Sequence, residues 1–509
     1  MKKPYSSSSF LILGLCMVSC ADAFIGINWG RLSSQRLIPS MVVDLLLQNG
    51  ITDVRIFQQV SNVLEAFYNS GINATFGLSN SVLDNYLNPS TVQWWIDNKI
   101  IKYDNIMKFR YVTIGNNPFS PMFSDKMYFN SIPALKNLQK GLNANGKRDI
   151  KATIPHYTDV LTVTATSKPS EVDFRPDIKE AMVDYVRFLG EEEAPFMLAI
   201  FPIDYINSNG LDIDFGFMDN KSKHKIKDIN ATYTNVFELL YDSLHWALNK
   251  AGAGKVKILI GGIGWPTDSY PGASVENAQR FYKSFLPFIA SGVGTPMRPN
   301  ESIEVFLNTL SDENQMPLKM GLYHRHWGIY KFNGEPKYKI DFSGKGGGEY
   351  PSIAKGVIHM PNRWCVFNKK FDDPTLVQSM KDMACNVSDC SSLDGGGSCS
   401  KLSYEDKISY AFNGYFQTKG QASQTTNEKC DLGGLGVVVS EDPSDGTCEF
   451  PVEILSAEYA IEGATFGSVD SGGERSVHAG GWASALVLLI LLIRILLQFK
   501  QQEYSLTTT

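Results

Sequence analysis

The chain has 509 residues, which allows two or three folded domains. Its 47 lysines and arginines stand against 53 aspartates and glutamates, a net charge of −6, so the composition gives no basic surface for nucleic acid and we expect no nucleic-acid partner. A hydrophobic content of 43% and an aromatic content of 12% exclude a mostly disordered or collagen-like chain.

The first 23 residues have the pattern of a signal peptide. Lys2 and Lys3 precede an apolar stretch, Phe10 to Val18, and Ala21-Asp22-Ala23 is a small-x-small site at the spacing that signal peptidase needs. The apolar stretch is about half as long as a helix that crosses a bilayer, which argues against a transmembrane segment. We therefore predict that residues 1–23 are removed and that the mature chain follows the secretory pathway.

Short apolar runs alternate with longer helical stretches, such as 39–48 and 233–249, over residues 24–342. Strands that alternate with helices indicate an α/β fold with a parallel sheet. So many units over this length favour a closed (β/α)₈ TIM barrel over an open sheet. Catalytic groups of such barrels follow the strands, so the residues directly after each run are the site candidates. The apolar runs lie at 24–29, 53–57, 73–78, 111–114, 196–201 and 256–260.

A glycine-rich stretch that begins at Ser343-Gly344 predicts a flexible linker over 343–363. The segment that follows, 364–455, holds six cysteines, and an even cluster in a secreted chain indicates three disulfides, for which fifteen pairings are possible. Zinc would need closely spaced cysteine or histidine pairs, and only one pair reaches that spacing, so we expect neither a metal nor a cofactor. The cysteines are Cys365, Cys385, Cys390, Cys399, Cys430 and Cys448.

The C-terminal end resembles a glycolipid-anchor signal. A spacer over 456–481 contains Ser471, a candidate attachment site followed by two glycines, and the anchor segment 482–509 begins with a hydrophobic run. Arg494 interrupts this run, so a single spanning helix with Arg494 on the cytoplasmic side is the alternative. Both readings place the folded part outside the cell, at the outer face of the plasma membrane; the family resemblance described next implies a place at the cell wall. Five glycosylation sequons agree with secretion, at Asn73, Asn220, Asn230, Asn300 and Asn386.

The motifs at the predicted strand ends resemble those of the plant glucan endo-1,3-β-glucosidases, glycoside hydrolase family 17. The tail, with Trp364-Cys365-Val366, is similar to the carbohydrate-binding module that plant enzymes of this family often carry. This resemblance implies a retaining β-1,3-glucanase barrel with a glucan-binding appendage, and it implies the pairs Cys365–Cys430, Cys385–Cys390 and Cys399–Cys448. The barrel motifs are Ile25-Gly26-Ile27-Asn28-Trp29-Gly30, Ile114-Gly115-Asn116-Asn117-Pro118-Phe119, Asp173-Phe174-Arg175-Pro176-Asp177, Tyr233-Thr234-Asn235, Ile260-Gly261-Gly262-Ile263-Gly264-Trp265-Pro266, Glu276-Asn277-Ala278, Gly294-Thr295-Pro296-Met297-Arg298-Pro299 and Arg325-His326-Trp327-Gly328.

Retaining hydrolysis needs two carboxyl groups about 5–5.5 Å apart, one as acid and one as nucleophile. The family pattern places one glutamate at the position of Asn117 and the other at the position of Gly262. Loss of a general acid alone removes about 10²–10⁴ in rate, and a glycine cannot form the covalent intermediate. The resemblance therefore predicts that both catalytic groups are substituted and that hydrolysis is lost or severely weakened. Glu313 is a retained family acid nearby.

Further family positions around the predicted rim are replaced in this chain, at Gln58, Ala199, Phe201, Met316 and His324. Three other carboxylates, Glu301, Glu304 and Asp268, are candidates for a replacement, so an active endo-1,3-β-glucosidase with unrecognised carboxylates is the alternative function. His324 and His326 would share one face of a strand, but no third metal ligand is visible.

The candidates for sugar contact are aromatic and amide side chains. Trp29, Trp265 and Trp327 follow predicted strands, where an indole either stacks on a pyranose ring or packs beneath the rim. Asn116 in the barrel and Tyr415 in the tail module complete the set. The sequence therefore predicts a membrane-tethered extracellular protein that binds β-1,3-glucan.

Overall fold

The computed structural model describes residues 24–57, 59–123, 125–419, 421, 426–454 and 457–459. The predicted signal peptide, Gln58, the candidate anchor site Ser471 and the anchor segment 482–509 lie outside the described residues and stay predictions. Within the described ranges, no helix is long and apolar enough to cross a membrane.

The predicted barrel is confirmed. Nine parallel strands form one sheet in the order β5-β4-β3-β2-β1-β9-β8-β7-β6. Only Ile154 separates β5 from β6, so these two strands together fill one of eight positions, and the sheet closes there. The strands are β1 Ile25–Trp29, β2 Asp53–Ile56, β3 Asn73–Leu78, β4 Lys108–Ile114, β5 Lys151–Thr153, β6 Pro155–Tyr157, β7 Phe196–Ile200, β8 Ile258–Ile263 and β9 Glu304–Leu307.

The described part of the barrel contains eight α-helices, and their apolar faces share one large core with the strands. The longest apolar face belongs to α7, which begins where the Asn235 side chain accepts a hydrogen bond from the Glu238 backbone at 2.9 Å. The helices are α1 Pro39–Gln48, α2 Ser61–Ala66, α3 Pro89–Trp95, α4 Asp125–Ala144, α5 Lys179–Glu192, α6 Pro202–Asn209, α7 Val236–Lys250 and α8 Val275–Ser291.

Side chains inside the barrel form an apolar layer and a polar layer. Phe24, Met197 and Phe306 belong to an apolar cluster near the N-terminal ends of the strands. Arg55 and Thr113 lie closer to the carboxyl ends, and both are buried. Because the carboxyl ends carry the chemistry of such barrels, the polar layer leads to the candidate site, which we call the barrel mouth.

The cysteine-rich segment forms a small module with its own core. Its strands β10 Trp364–Phe367 and β11 Gly436–Val439 pair antiparallel, and its helices are α9 Pro374–Val387, α10 Tyr404–Lys419 and α11 Thr426–Asp431. Three disulfides cross this core. They join Cys365 to Cys430, Cys385 to Cys390 and Cys399 to Cys448, the same pairs that the resemblance implied.

The stretch 343–363, which we expected to be a flexible linker, lies against the barrel. The Ser352 backbone donates to Asn49 Oδ1 at 2.9 Å, and the Ala354 backbone donates to the carbonyl of Gly334 at 3.1 Å. Ala354 itself is buried. Glycine content alone predicted flexibility, whereas these contacts fix part of the segment to the surface.

The module is held to the carboxyl-end rim of the barrel by polar contacts. The Asp268 carboxylate accepts three hydrogen bonds from the module, from Ser392 Oγ at 2.8 Å and from the backbone and Oγ of Ser398 at 2.7 Å each. We call this arrangement the serine cradle. Arg325 also forms an ion pair with Asp389 at 2.9 Å. A cavity of about 130 Å³ lies between the two parts.

Candidate functional site

A β-bulge in β8 turns Gly262 toward the barrel mouth. The register of β8 shifts against both of its neighbours just after Ile260, and a bulge of this kind re-aims the residues that follow it. A Cβ atom at Gly262 would lie 3.5 Å from Asn28 Nδ2, 3.5 Å from Phe201 Cζ and 3.6 Å from the Cβ of Ala199. These are ordinary contact distances, so packing leaves room for a Cβ atom at this position.

Asn117 follows β4 directly and is 4% exposed. Its backbone has a φ of +52°, in the left-handed region that asparagine tolerates better than most residues, and its N–H donates to the carbonyl of Pro155 at 3.1 Å. Its Nδ2 donates to Asn116 Oδ1 at 3.3 Å, and its Oδ1 has no hydrogen-bond partner within the described chain. This buried amide has no proton to give at neutral pH, so it cannot act as a general acid.

Arg55 lies between the strands that carry these two positions. Its Nη1 donates to the carbonyl of Gly261 at 3.3 Å and its Nη2 donates to Thr113 Oγ1 at 3.1 Å, which joins β8 to β4. No carboxylate among the described residues lies within 4 Å of the guanidinium, and burial lowers the pKa of Arg55 to about 9. The Phe57 ring centroid lies 4.6 Å from the guanidinium carbon. The mouth therefore holds a buried cation that has no acidic partner among the residues the structure describes.

The three carboxylates that the sequence offered as replacements are engaged elsewhere. Glu304 is at the N-terminal end of β9, where it accepts from Tyr111 Oη at 2.7 Å and from Lys257 Nζ at 2.6 Å. Glu301 forms an ion pair with Arg298 at 2.9 Å. Asp268 is the acceptor of the serine cradle.

Asp204 is a rim carboxyl that sequence reasoning missed. It lies in the first turn of α6, four residues after β7, and accepts a hydrogen bond from Tyr323 Oη at 2.8 Å. Burial raises its pKa to about 6. Tyr323 in turn stacks on Tyr270 with ring centroids 4.1 Å apart. The sequence signal for Asp204 is its position shortly after the apolar run 196–201. We missed it because we considered only Ala199 and Phe201 at this strand end.

Glu313, the retained family acid, ties two loops of the rim together. Its carboxyl accepts from the Leu32 backbone at 2.9 Å, and burial raises its pKa to about 7. A Cβ atom at Gly30 would lie 2.1 Å from both carboxyl oxygens, so only glycine fits beside this group. We infer a positioning role for Glu313, since it fixes the loop that follows β1.

The three candidate tryptophans are buried beneath the rim. Trp29 is 3% exposed and lies 6.1 Å from the Phe67 ring, and Trp265 is fully buried with its Nε1 donating to the carbonyl of Gly272 at 3.0 Å. Trp327 is 2% exposed and packs against Phe201 at 4.7 Å. In these contacts the three indoles pack against other groups of the protein beneath the rim.

The other two candidates for sugar contact keep accessible surface. Asn116 is half-buried beside Asn117, and Asn80 holds its backbone through two hydrogen bonds of 2.8 and 3.0 Å. Tyr415 is half-buried at the edge of the module core. Asn116 and Tyr415 therefore remain candidates, one at the barrel mouth and one on the module.

The expectation of a strand through His324 and His326 is wrong. Leu322–Arg325 is a 3₁₀ helix, because Gly321, with a φ of +111°, turns the chain just before it. His326 Nε2 lies 2.7 Å from Ser391 Oγ of the module, and burial lowers the pKa of His324 to about 4. In the described part of the chain, no three histidine, cysteine or acidic residues group together as metal ligands would.

The predicted glycosylation sites differ in exposure. Asn73 is the first residue of β3 and is half-buried. The other four sequon asparagines are exposed, namely Asn220, Asn230, Asn300 and Asn386.

A cavity of about 650 Å³ lies at the opposite end of the barrel from the mouth. Charged side chains at the N-terminal ends of the strands line it, among them Lys108, Arg110 and Lys257. Arg110 forms an ion pair with Asp53 and Lys257 forms one with Glu304, so this cavity is separate from the candidate site.

The sequence matches two protein families. Residues 25–342 match Glycosyl hydrolases family 17, and residues 363–437 match the X8 domain. The chain is 34% identical over 438 residues to "Glucan endo-1,3-beta-glucosidase 8" of Arabidopsis thaliana, which covers 85% of this chain and 90% of that protein. It is 35% identical over 441 residues to "Glucan endo-1,3-beta-glucosidase 5" of the same plant, a match that covers 85% of this chain and 89% of that protein.

Among solved structures, the chain is similar to CJP38, described as a beta-1,3-glucanase and allergen of Cryptomeria japonica pollen. The TM-score is 0.59 at 27% sequence identity, and the match covers 63% of this chain and 99% of that protein.

Proposed function

The chain belongs to glycosyl hydrolases family 17, and on that premise we propose that it is a membrane-tethered extracellular protein that binds β-1,3-glucan without hydrolysing it. The observation that carries this proposal is the pair of residues at the barrel mouth. An amide, Asn117, and a glycine, Gly262, stand where a retaining mechanism needs a proton donor and a nucleophile.

Glucan binding is supported by the relatives and by groups that remain in the site. The similar plant proteins carry the name glucan endo-1,3-beta-glucosidase, and this chain has an X8 domain at the rim of its barrel. At the mouth, Asn28 Oδ1 and Asn117 Oδ1 are buried without partners within the described chain. Amide oxygens of this kind accept hydrogen bonds from sugar hydroxyls.

The loss of hydrolysis is supported by the contacts of the three carboxylates that the sequence offered as substitutes. Glu301, Glu304 and Asp268 are engaged outside the mouth. The missing groups serve different steps of one mechanism, so their combined loss leaves little activity. Packing does not impose Gly262, because ordinary contact space surrounds its Cβ position.

The extracellular location is supported by the N-terminal signal, the six paired cysteines of the module and the sequons. For the tether we propose a glycolipid at Ser471, with a single spanning helix as the alternative. Treating membranes with a phosphatidylinositol-specific phospholipase distinguishes them, because release into the supernatant is expected only for the glycolipid.

The deciding experiment measures reducing sugar released from laminarin by the purified full chain, together with its retention on insoluble β-1,3-glucan. We expect retention without turnover. The double variant Asn117→Glu with Gly262→Glu is expected to regain measurable hydrolysis, and the matched neutral variant Asn117→Gln with Gly262→Gln is not. Turnover by the native chain within about a hundredfold of an active family member would refute the proposal.

An active glucan endo-1,3-β-D-glucosidase is the second candidate, and one observation favours it. The Asp204 carboxyl at the rim has a pKa raised to about 6, which suits a general acid. If the native chain turned over laminarin and Asp204→Asn abolished that turnover, Asp204 would be the acid.

A further inference from the structure

We propose that the barrel mouth binds the carboxylate of an acidic sugar, with Arg55 as its ion-pair partner. This inference rests on the proposed function in one respect, the absence of both catalytic glutamates. It adds a ligand class, a uronic acid, that differs from the neutral glucan proposed above.

The charge of Arg55 is not balanced within the described part of the chain. Arg55 is fully buried, and no carboxylate of the described chain lies within 4 Å of its guanidinium. The Tyr157 phenol also acts on the Arg55 pKa, but burial raises the pKa of this phenol to about 12, so it is neutral at physiological pH. A buried charge without a counter-charge is costly, and a ligand that supplies one relieves that cost.

The guanidinium also has free hydrogen-bonding capacity on one edge. Nη1 and Nη2 each donate to the barrel, at 3.3 and 3.1 Å, whereas Nε has no partner within the described chain. Arginine binds carboxylates through two adjacent N–H groups, so an oxygen pair at the Nε edge matches its preferred geometry.

We place that carboxylate beside Gly262, a position that carries no side chain. The Cβ position of Gly262 lies 3.5 Å from Asn28 Nδ2, and that amide donates to the same Gly261 carbonyl as Arg55 Nη1. A group that occupies the volume of a side chain at Gly262 therefore enters the donor cluster that Arg55 belongs to. Phe57 lies over a face of the guanidinium and is only half-buried, and we infer that a ligand enters at this ring.

The rest of the site selects a sugar over a simple anion. The unpartnered Oδ1 atoms of Asn28 and Asn117 are acceptors, which bind hydroxyl groups and repel an all-acceptor anion such as acetate. A uronic acid offers both a carboxylate for Arg55 and hydroxyl groups for these two amides. We therefore infer that acidic sugars bind more tightly than either neutral sugars or small anions.

The test compares glucuronate with glucose, acetate and inorganic phosphate as ligands of the purified full chain, by calorimetric titration. We expect glucuronate to bind at least about tenfold more tightly than glucose, and this preference to weaken as the salt concentration rises. Equal binding of glucuronate and glucose would overturn the proposal, as would equal binding of glucuronate and acetate or phosphate.

A matched pair of variants isolates the charge. Gly262→Glu places a competing carboxylate near Arg55 and is expected to abolish the preference for glucuronate, whereas Gly262→Gln, of equal size, is expected to keep the preference even where both affinities fall. Equal preferences in the two variants would contradict an ion pair with Arg55. Circular dichroism of the same samples reports folding, and retention on insoluble β-1,3-glucan tests glucan binding separately, so the two proposals fail independently.

Discussion

Replacing Glu313 with glutamine is expected to stabilise the protein above neutral pH. The Glu313 carboxyl is 8% exposed and accepts a hydrogen bond from the Leu32 backbone at 2.9 Å. Burial, with a further contribution from the charge of Asp312, raises its pKa from an ordinary 4.5 to about 7. A glutamine keeps the carbonyl acceptor for Leu32 and has no charge to desolvate.

The magnitude follows from proton linkage. A carboxyl whose pKa is higher in the folded state favours folding in its protonated form, so this contribution is complete below about pH 4.5 and is lost as the pH rises through 7. The interval from 4.5 to about 7 corresponds to about 3 kcal/mol of unfolding free energy. Relative to the native chain, the unfolding free energy of Glu313→Gln should therefore increase by up to about 3 kcal/mol as the pH rises from 5 to 8.

Urea unfolding followed by tryptophan fluorescence, at pH 5 and at pH 8, measures this difference. Other groups titrate over the same range, so we compare the difference in unfolding free energy between the native chain and the variant at each pH. Glu65→Gln, a change at an exposed glutamate, is the control and should show the same difference at both pH values. If the difference in unfolding free energy between the native chain and Glu313→Gln were also the same at both pH values, the reasoning from burial would be refuted.

Three further predictions concern the loop after β1, the serine cradle and the module core. Gly30→Ala places a Cβ atom 2.1 Å from the Glu313 carboxyl and should lower the unfolding free energy by about 1–3 kcal/mol, measured by urea unfolding; an unchanged midpoint would contradict this. Asp268→Asn removes the charge that accepts three hydrogen bonds from the module, so limited proteolysis within 343–363 should become faster, and unchanged cleavage would count against the cradle. Cys365→Ser with Cys430→Ser opens a bridge that spans 65 residues, and should cost the module about 4 kcal/mol, read from its denaturant midpoint; a loss below about 1 kcal/mol would contradict the expectation.

The sequence predicted the barrel because apolar runs and amphipathic stretches reflect local periodicity. The run 73–78 became β3 with the same bounds, and the helical stretch 39–48 became α1. The positions of Asn117 and Gly262 came from motif order, which depends on no coordinate. Features of this kind are visible in a linear chain because they repeat at the period of a helix or a strand.

Other features of the site depend on neighbours that are distant in the sequence. The bulge in β8 is defined by its register against two other strands, so no pattern within 258–263 predicts it. The isolation of Arg55 is visible only once every nearby carboxylate has been placed. The flexible linker was inferred from composition, whereas contacts to Asn49 and Gly334 hold that segment against the barrel.

The serine cradle fixes the distance between two sites that would otherwise be joined by a tether. In a tethered pair, the local concentration of the second site falls as the linker lengthens, so avidity is set by chain statistics. Here Asp268 and Arg325 hold the module to the rim directly. The spacing between the barrel mouth and the module is therefore fixed. A polysaccharide long enough to span both would gain affinity from the second site, and oligomers shorter than that span would gain none.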